Sequence, residues 1–182
     1  MKNNFLAMLL CGGLALSNMG HAADSPAPIP APTVPAALQV SANETLLFAA
    51  KAQGFQIYQW LPKKEAPTQY EWVFKAPEAD LFDAQGNKMG RHYAGPTWDS
   101  NDGSKVVGAL KAHVDSKDAG AVPWLLLMAK SHGGSGMFSK VTSIQRLDTV
   151  GGKAPSTNVD VPKVGQELRV PYTATYYFYG SK

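Results

Sequence analysis

The sequence has almost no cysteine: Cys11 is the only one among its 182 residues. Because Cys11 lies in an apolar run near the N-terminus, the remaining chain offers no disulfide, thiolate metal site or cysteine nucleophile. A protein without disulfides must be stabilised by its hydrophobic core. The roughly 150 residues that follow the N-terminal region are enough for one such core, which predicts a single domain.

The sequence also lacks a strong excess of either charge and a long apolar run. Its 17 basic and 14 acidic residues give a formal net charge of +3, which is too small and too evenly spread to predict a nucleic-acid partner. The run Phe5 to Leu16 is shorter than the roughly 20 residues that a membrane-spanning helix needs. The strands are too short for the apolar belt of an outer-membrane barrel. We therefore expect no nucleic-acid partner and no integral membrane insertion.

Residues 1–22 have the pattern of a secretory signal peptide: Lys2, an apolar run, and small residues around Ala22. Lipidation of Cys11 is the alternative, although Met8 to Leu10 before it lack the small side chains of a lipidation motif. The pattern predicts export to the periplasm, the outer surface or the medium. Residues 23–34 alternate proline with small residues, which predicts a disordered polyproline spacer.

Residues 35–182 show short stretches of alternating apolar, β-branched and aromatic residues without long helical periodicity. The pattern predicts an all-β domain of about eight to ten short strands with long loops, either a β-sandwich or a closed β-barrel. We place a hairpin turn at Gln53-Gly54. Residues 104–115 fit an irregular strand or a short amphipathic helix. Residues 123–130 are apolar at both odd and even positions, which predicts a strand covered on both faces.

Reactive side chains are densest between His92 and Ser104. His92 with Asp99 or Asp102 could act as a general acid or base, since a carboxylate-oriented imidazole is the commonest proton-transfer pair. The alternative interpretation is structural, because Asp102-Gly103 favours a turn and Trp98 favours burial. The glycine-rich segments around Ser135 and at Gly151-Gly152 match neither a serine-nucleophile elbow nor a phosphate loop.

Three histidines, His92, His113 and His132, could together bind zinc, but their spacing matches no compact ligand motif. We therefore predict no resident metal or cofactor. The aromatic residues Tyr93, Trp98 and Tyr177 are instead the candidates for a ligand platform. The partner they suggest is a glycan, a small amphipathic ligand or a cell-surface or host protein.

A series of short motifs recurs in a defined order along the chain. They are Gly54-Phe55-Gln56-Ile57-Tyr58, Trp72-Val73-Phe74, Gly95-Pro96-Thr97-Trp98 after His92, Asp102-Gly103-Ser104, Pro123-Trp124-Leu125-Leu126-Leu127, Ile144-Gln145-Arg146-Leu147-Asp148-Thr149 and Val170-Pro171-Tyr172-Thr173-Ala174. This series resembles the secreted bacterial and fungal family named domain of unknown function 3455. The resemblance implies a single extracytoplasmic domain and no particular activity.

Together these features favour an exported, non-catalytic binding or interaction protein, with a surface antigen as one form of it. The alternative is a metal-dependent or acid–base hydrolase that acts on an extracellular polymer.

Overall fold

The computed structural model describes residues 30–156 and 162–182. The predicted signal peptide, Cys11 and the first part of the predicted spacer lie outside the described residues. In the described ranges, no helix is long and apolar enough to cross a membrane.

The described residues form eight antiparallel strands preceded by a short 3₁₀ helix, Ala36–Leu38. The strands are β1 Glu44–Lys63, β2 Ala66–Phe82, β3 Lys88–Tyr93, β4 Thr97–Ser100, β5 Lys105–Val114, β6 Trp124–Gly133, β7 Ser143–Gly151 and β8 Glu167–Ser181. Each strand pairs with the next in sequence, and β1 also pairs with β8, so the sheet closes into a barrel. The ring is uneven, since β1 has 20 residues and β4 only 4. The predicted all-β class is confirmed, with eight strands in one closed antiparallel sheet.

The predicted turn at Gln53-Gly54 is wrong, because β1 runs through it without interruption. Gly54 pairs with Ala79 of β2, and a Cβ atom at Gly54 would lie 2.1 Å from the carbonyl oxygen of Glu78. A glycine inside a strand often marks such a close backbone approach rather than a turn. The missing side chain therefore allows the two longest strands to pair tightly.

The other local predictions agree better with the structure. Residues 105–114 form strand β5, which decides against the helical alternative. In β6, Leu127 packs in the barrel interior while Leu126 packs in a second cluster outside the barrel. This strand is therefore covered on both faces, as its doubled apolar pattern predicts.

Because consecutive strands are antiparallel, alternate connections lie at opposite ends of the barrel. One end, which we call the plugged end, has connections 83–87, 101–104 and 134–142. There Phe138 is fully buried against Phe48 and Phe178, with ring centroids 5.6 and 5.1 Å away. The other end, which we call the cavity end, has connections 64–65, 94–96 and 115–123.

The segment before β1 packs against the outside of the barrel. Leu38 is fully buried there with Leu126 and Leu147, and Val34 from the end of the predicted spacer packs against the same cluster. The Gln145 side chain donates from Nε2 to the Leu38 carbonyl oxygen at 2.7 Å. This cluster is a second, smaller core on the outer face of the sheet.

We predict that Gly54→Ala destabilises the protein by about 2 kcal/mol, because the added methyl group has to push the β1 and β2 backbones apart. Urea denaturation measures the change. The matched control is Gly120→Ala in an exposed connection, where the nearest atom to a new Cβ is 3.4 Å away, and its change should stay within about 0.5 kcal/mol. Equal stability of the two variants would contradict the close approach.

Candidate functional site

A cavity of about 260 Å³ enters the barrel at the cavity end. Its rim is apolar and open to solvent: Phe74 is 50% exposed and Leu110 is 59% exposed. Its inner wall is buried and includes two of the buried polar side chains, His92 and Arg146. The inner residues are His92, Trp98, Leu127, Arg146 and Tyr176.

Three aromatic rings form the floor of this cavity. His92 pairs directly with Trp98 across β3 and β4, and both side chains point inward. Their rings are stacked at a centroid distance of 4.5 Å, and Tyr176 meets the indole edge-on at 5.3 Å. Gly108 of β5 makes room for the indole, since a Cβ there would lie 2.9 Å from Trp98 Cζ3. The floor is therefore held rigidly by strand pairing and close packing.

The His92 imidazole is neutral at ordinary pH. Its Nδ1 lies 2.9 Å from the Thr97 carbonyl oxygen, which can only accept, so Nδ1 carries the proton and Nε2 is the unprotonated nitrogen. Complete burial lowers the pKa of His92 to about 3, and the nearby charge of Arg146 acts in the same direction. His92 therefore contributes a neutral ring with one free acceptor nitrogen.

Several buried polar atoms in the interior have no hydrogen-bond partner among the described residues. Two of them belong to the cavity floor, the indole Nε1–H of Trp98 and the hydroxyl of Tyr176. Farther along the interior, the Tyr172 hydroxyl and Gln56 Nε2 make no hydrogen bond of normal geometry, although Tyr172 lies close to both Gln56 and the Tyr176 hydroxyl. Burial raises the pKa of both tyrosines, so their hydroxyls remain protonated. Because the Tyr172 and Tyr176 hydroxyls lie beside each other, the Trp98 indole N–H is the clearest unsatisfied group among these atoms, and buried polar groups are normally paired.

Arg146 is the functional candidate that sequence reasoning missed. It lies on β7 with its side chain in the interior and is only 8% exposed. Its Nε–H and Nη2–H both donate to the Pro123 carbonyl oxygen, at 3.2 and 2.9 Å. The sequence contains one signal for this position. Arg146 lies two residues after Ile144, so both side chains share one face of the strand, and Ile144 is fully buried.

The structure does not bring the predicted acid–base residues together. Asp99 alternates with the inward-facing Trp98 and lies outside the barrel, where it interacts with Arg91 and the Tyr93 hydroxyl, each at 3.3 Å. Asp102 lies at the plugged end, far along the barrel from His92. The partner of His92 is a backbone carbonyl rather than a carboxylate.

Asp102 instead fixes the backbone around Phe138, whose ring closes the plugged end. It accepts hydrogen bonds from the Ser104 backbone N–H and hydroxyl, at 2.9 and 2.6 Å, and from the Met137 N–H at 2.8 Å. The bonds from Ser104, foremost the hydroxyl, and from Met137 lower the pKa of Asp102 to about 2. Ser104 Oγ in turn accepts from the Phe138 N–H at 3.1 Å. The predicted turn at Asp102-Gly103 is confirmed, and its function is to position Phe138.

The three candidate zinc ligands are likewise separated. His92 is inside the barrel, whereas His113 and His132 are exposed on β5 and β6. His132 Nε2 is within 2.7 Å of the Val141 carbonyl oxygen. Across the described ranges no three histidine, cysteine or acidic residues are grouped as a metal site would require.

The three candidate platform residues lie in three different environments. Trp98 is 1% exposed and lines the inner wall of the cavity. Tyr93 points outward with Arg91 stacked over its ring at 5.7 Å. Tyr177 packs against the outer cluster around Leu38. Trp98 alone among them belongs to the cavity.

We predict that burial of neutral His92 makes the protein less stable as pH falls from 7 to 5. The folded pKa of about 3 lies below the unfolded value near 6.5, so protonation favours the unfolded state in this window. The expected loss from this group is roughly 2 kcal/mol between pH 7 and pH 5. Urea denaturation at the two pH values should show a smaller difference for His92→Gln. His113→Gln, at an exposed position, should retain the wild-type difference; equal pH dependence of all three proteins would refute the prediction.

Comparison with known proteins identifies the family of this chain. No curated protein matches the chain. Residues 40–180 match the model of the family described as Protein of unknown function (DUF3455). The matched range contains strands β1 to β7, all of β8 except its last residue, and every residue of the cavity. The chain belongs to the DUF3455 family.

Proposed function

We propose that this protein is an exported, non-catalytic binding protein that takes a small amphipathic ligand into the cavity end of the barrel. The observation that carries the proposal is the pairing of an apolar, exposed rim with unpartnered polar atoms in the floor. Export is part of the proposal, supported by the signal-peptide pattern of residues 1–22.

The dimensions of the cavity favour a small ligand. Its volume of about 260 Å³ is slightly below the usual range of roughly 300–1,000 Å³ for sites that enclose drug-sized molecules. Phe74 and Leu110 on the rim would pack against an apolar part of the ligand, while its polar end would point toward His92, Trp98 and Tyr176 in the floor. A ligand with one apolar and one polar end would satisfy both regions.

This arrangement supports a small ligand better than a long glycan or a flat protein partner. A glycan chain usually stacks on aromatic rings exposed along a surface, whereas Tyr93 and Tyr177 are separated and Trp98 is inside the barrel. The hydrolase alternative has less support, because His92 is neutral, stacked on Trp98 and hydrogen-bonded to a carbonyl. Binding is the function that uses the cavity as it is built.

We predict that the wild-type protein binds 2-phenylethanol or phenylacetate and that Leu110→Asn weakens the binding. Leu110 is 59% exposed, so the substitution should leave the fold intact while removing apolar contact at the rim. The loss of about 1 kcal/mol corresponds to roughly fivefold weaker binding, which isothermal titration calorimetry can measure. Quenching of tryptophan emission reports occupancy, because Trp98 lies in the floor.

The matched control is Leu47→Asn, since Leu47 is 40% exposed and does not contribute to the cavity. This variant should bind both probes as the wild type does. If neither probe binds at millimolar concentration, or if both variants weaken binding equally, the cavity is not the binding site.

A further inference from the structure

Arg146 brings a positive charge into the barrel that no carboxylate of the described residues balances. The ion pairs in this part of the chain are elsewhere: Lys75–Glu167, Lys88–Asp80, Arg91–Asp99 and Arg169–Glu78. Each of them joins partly exposed side chains, whereas Arg146 is 8% exposed. A buried charge without a partner is strongly unfavourable, so this guanidinium requires compensation.

The groups around Arg146 do not supply that compensation. His92, Tyr172 and Tyr176 lie close enough for the guanidinium charge to affect their ionisation, yet all three are neutral. Burial keeps the two tyrosines protonated and His92 unprotonated. The surroundings of Arg146 are therefore polar but carry no negative charge.

The hydrogen-bond donors of Arg146 and Trp98 that lack an acceptor lie around the same cavity. Arginine has five N–H groups, and the Pro123 carbonyl oxygen takes one from Nε and one from Nη2. Three N–H groups remain on Nη1 and Nη2, and the Tyr176 hydroxyl lies close enough to the guanidinium to interact with it. Trp98 Nε1–H is unpaired in the same floor. The unprotonated Nε2 of His92 is an acceptor in the same floor, but the donors outnumber it, which suits an acceptor-only group.

We infer that the ligand is a small monocarboxylic acid with an apolar tail, whose carboxylate binds the free edge of Arg146 and whose tail contacts Phe74 and Leu110. This inference rests on the proposed function, because it assigns chemistry to the same cavity. A planar carboxylate matches the fork of a guanidinium in a bidentate pair. Its single negative charge balances that of Arg146, because Lys75, the other cation of the lining, is already paired with Glu167. A phosphate monoester would bring about −1.5 to −2 into the same small space.

The test compares probes of one shape on the unmodified protein. Phenylacetate, phenylacetamide, 2-phenylethanol and phenyl phosphate are titrated at pH 7 by calorimetry and by tryptophan emission. Phenylacetate should bind at least tenfold more tightly than the amide and the alcohol, because only the carboxylate balances Arg146. It should also bind more tightly than phenyl phosphate.

The variants test whether Arg146 is responsible. Arg146→Met should remove the preference for the acid over the amide, and Arg146→Lys should retain part of it, since lysine keeps the charge but not the fork. Arg169→Met is the control, because Arg169 pairs with Glu78 outside the barrel. Arg146→Met could fail to fold because the Pro123 carbonyl loses its donors. In that case the comparison of probes on the wild type still tests whether the ligand is a carboxylate.

The outcomes separate this inference from the proposed function. Equal affinity for acid, amide and alcohol would overturn the carboxylate assignment and leave binding in the cavity standing. Tighter binding of phenyl phosphate would overturn it in favour of a phosphate ligand. Absence of binding by every probe would overturn both.

Discussion

The pairing of β1 with β8 is the constraint on which the rest of the structure depends. It runs from Glu44 to Gln59 and turns a meander of eight strands into a closed ring. An eight-stranded barrel has an interior just wide enough to be filled by side chains. Large rings can enter only where the opposite strands carry small residues. The small residues are the buried alanines Ala50, Ala52, Ala79 and Ala174.

The two ends of this interior are completed in different ways. At the plugged end, Asp102 and Ser104 hold the backbone of Met137 and Phe138, and the Phe138 ring fills the barrel. At the cavity end, the rim residues Phe74 and Leu110 remain exposed above a polar floor. The segment richest in reactive groups, His92 to Ser104, therefore serves both ends, with His92 and Trp98 in the floor and Asp102 under the plug.

Sequence reasoning predicts the class of this fold well because β-alternation is a local signal. Leu126 and Leu127 illustrate it: neighbouring side chains on a strand point to opposite faces, so Leu127 packs inside the barrel and Leu126 packs outside it. Gly54 shows the limit: a glycine in a turn and a glycine in a tight strand pair look alike until the partner strand is known. The separation of His92 from Asp102 depends on strand length and on the direction of each connection, which no local pattern contains.

The polar floor is not needed to fill the barrel, and this is the strongest reason to regard it as functional. The plugged end shows that phenylalanine and other apolar side chains can fill the same interior. Each unpaired buried donor in the floor costs stability by about 1–3 kcal/mol, and a buried charge such as that of Arg146 costs more. Apolar residues of similar volume would remove that cost, since replacing buried charges in this way is often neutral or stabilising. A protein without disulfides in its barrel has little stability to spare, so the cost of placing Arg146, Trp98 and Tyr176 together supports the proposal that this floor binds a ligand.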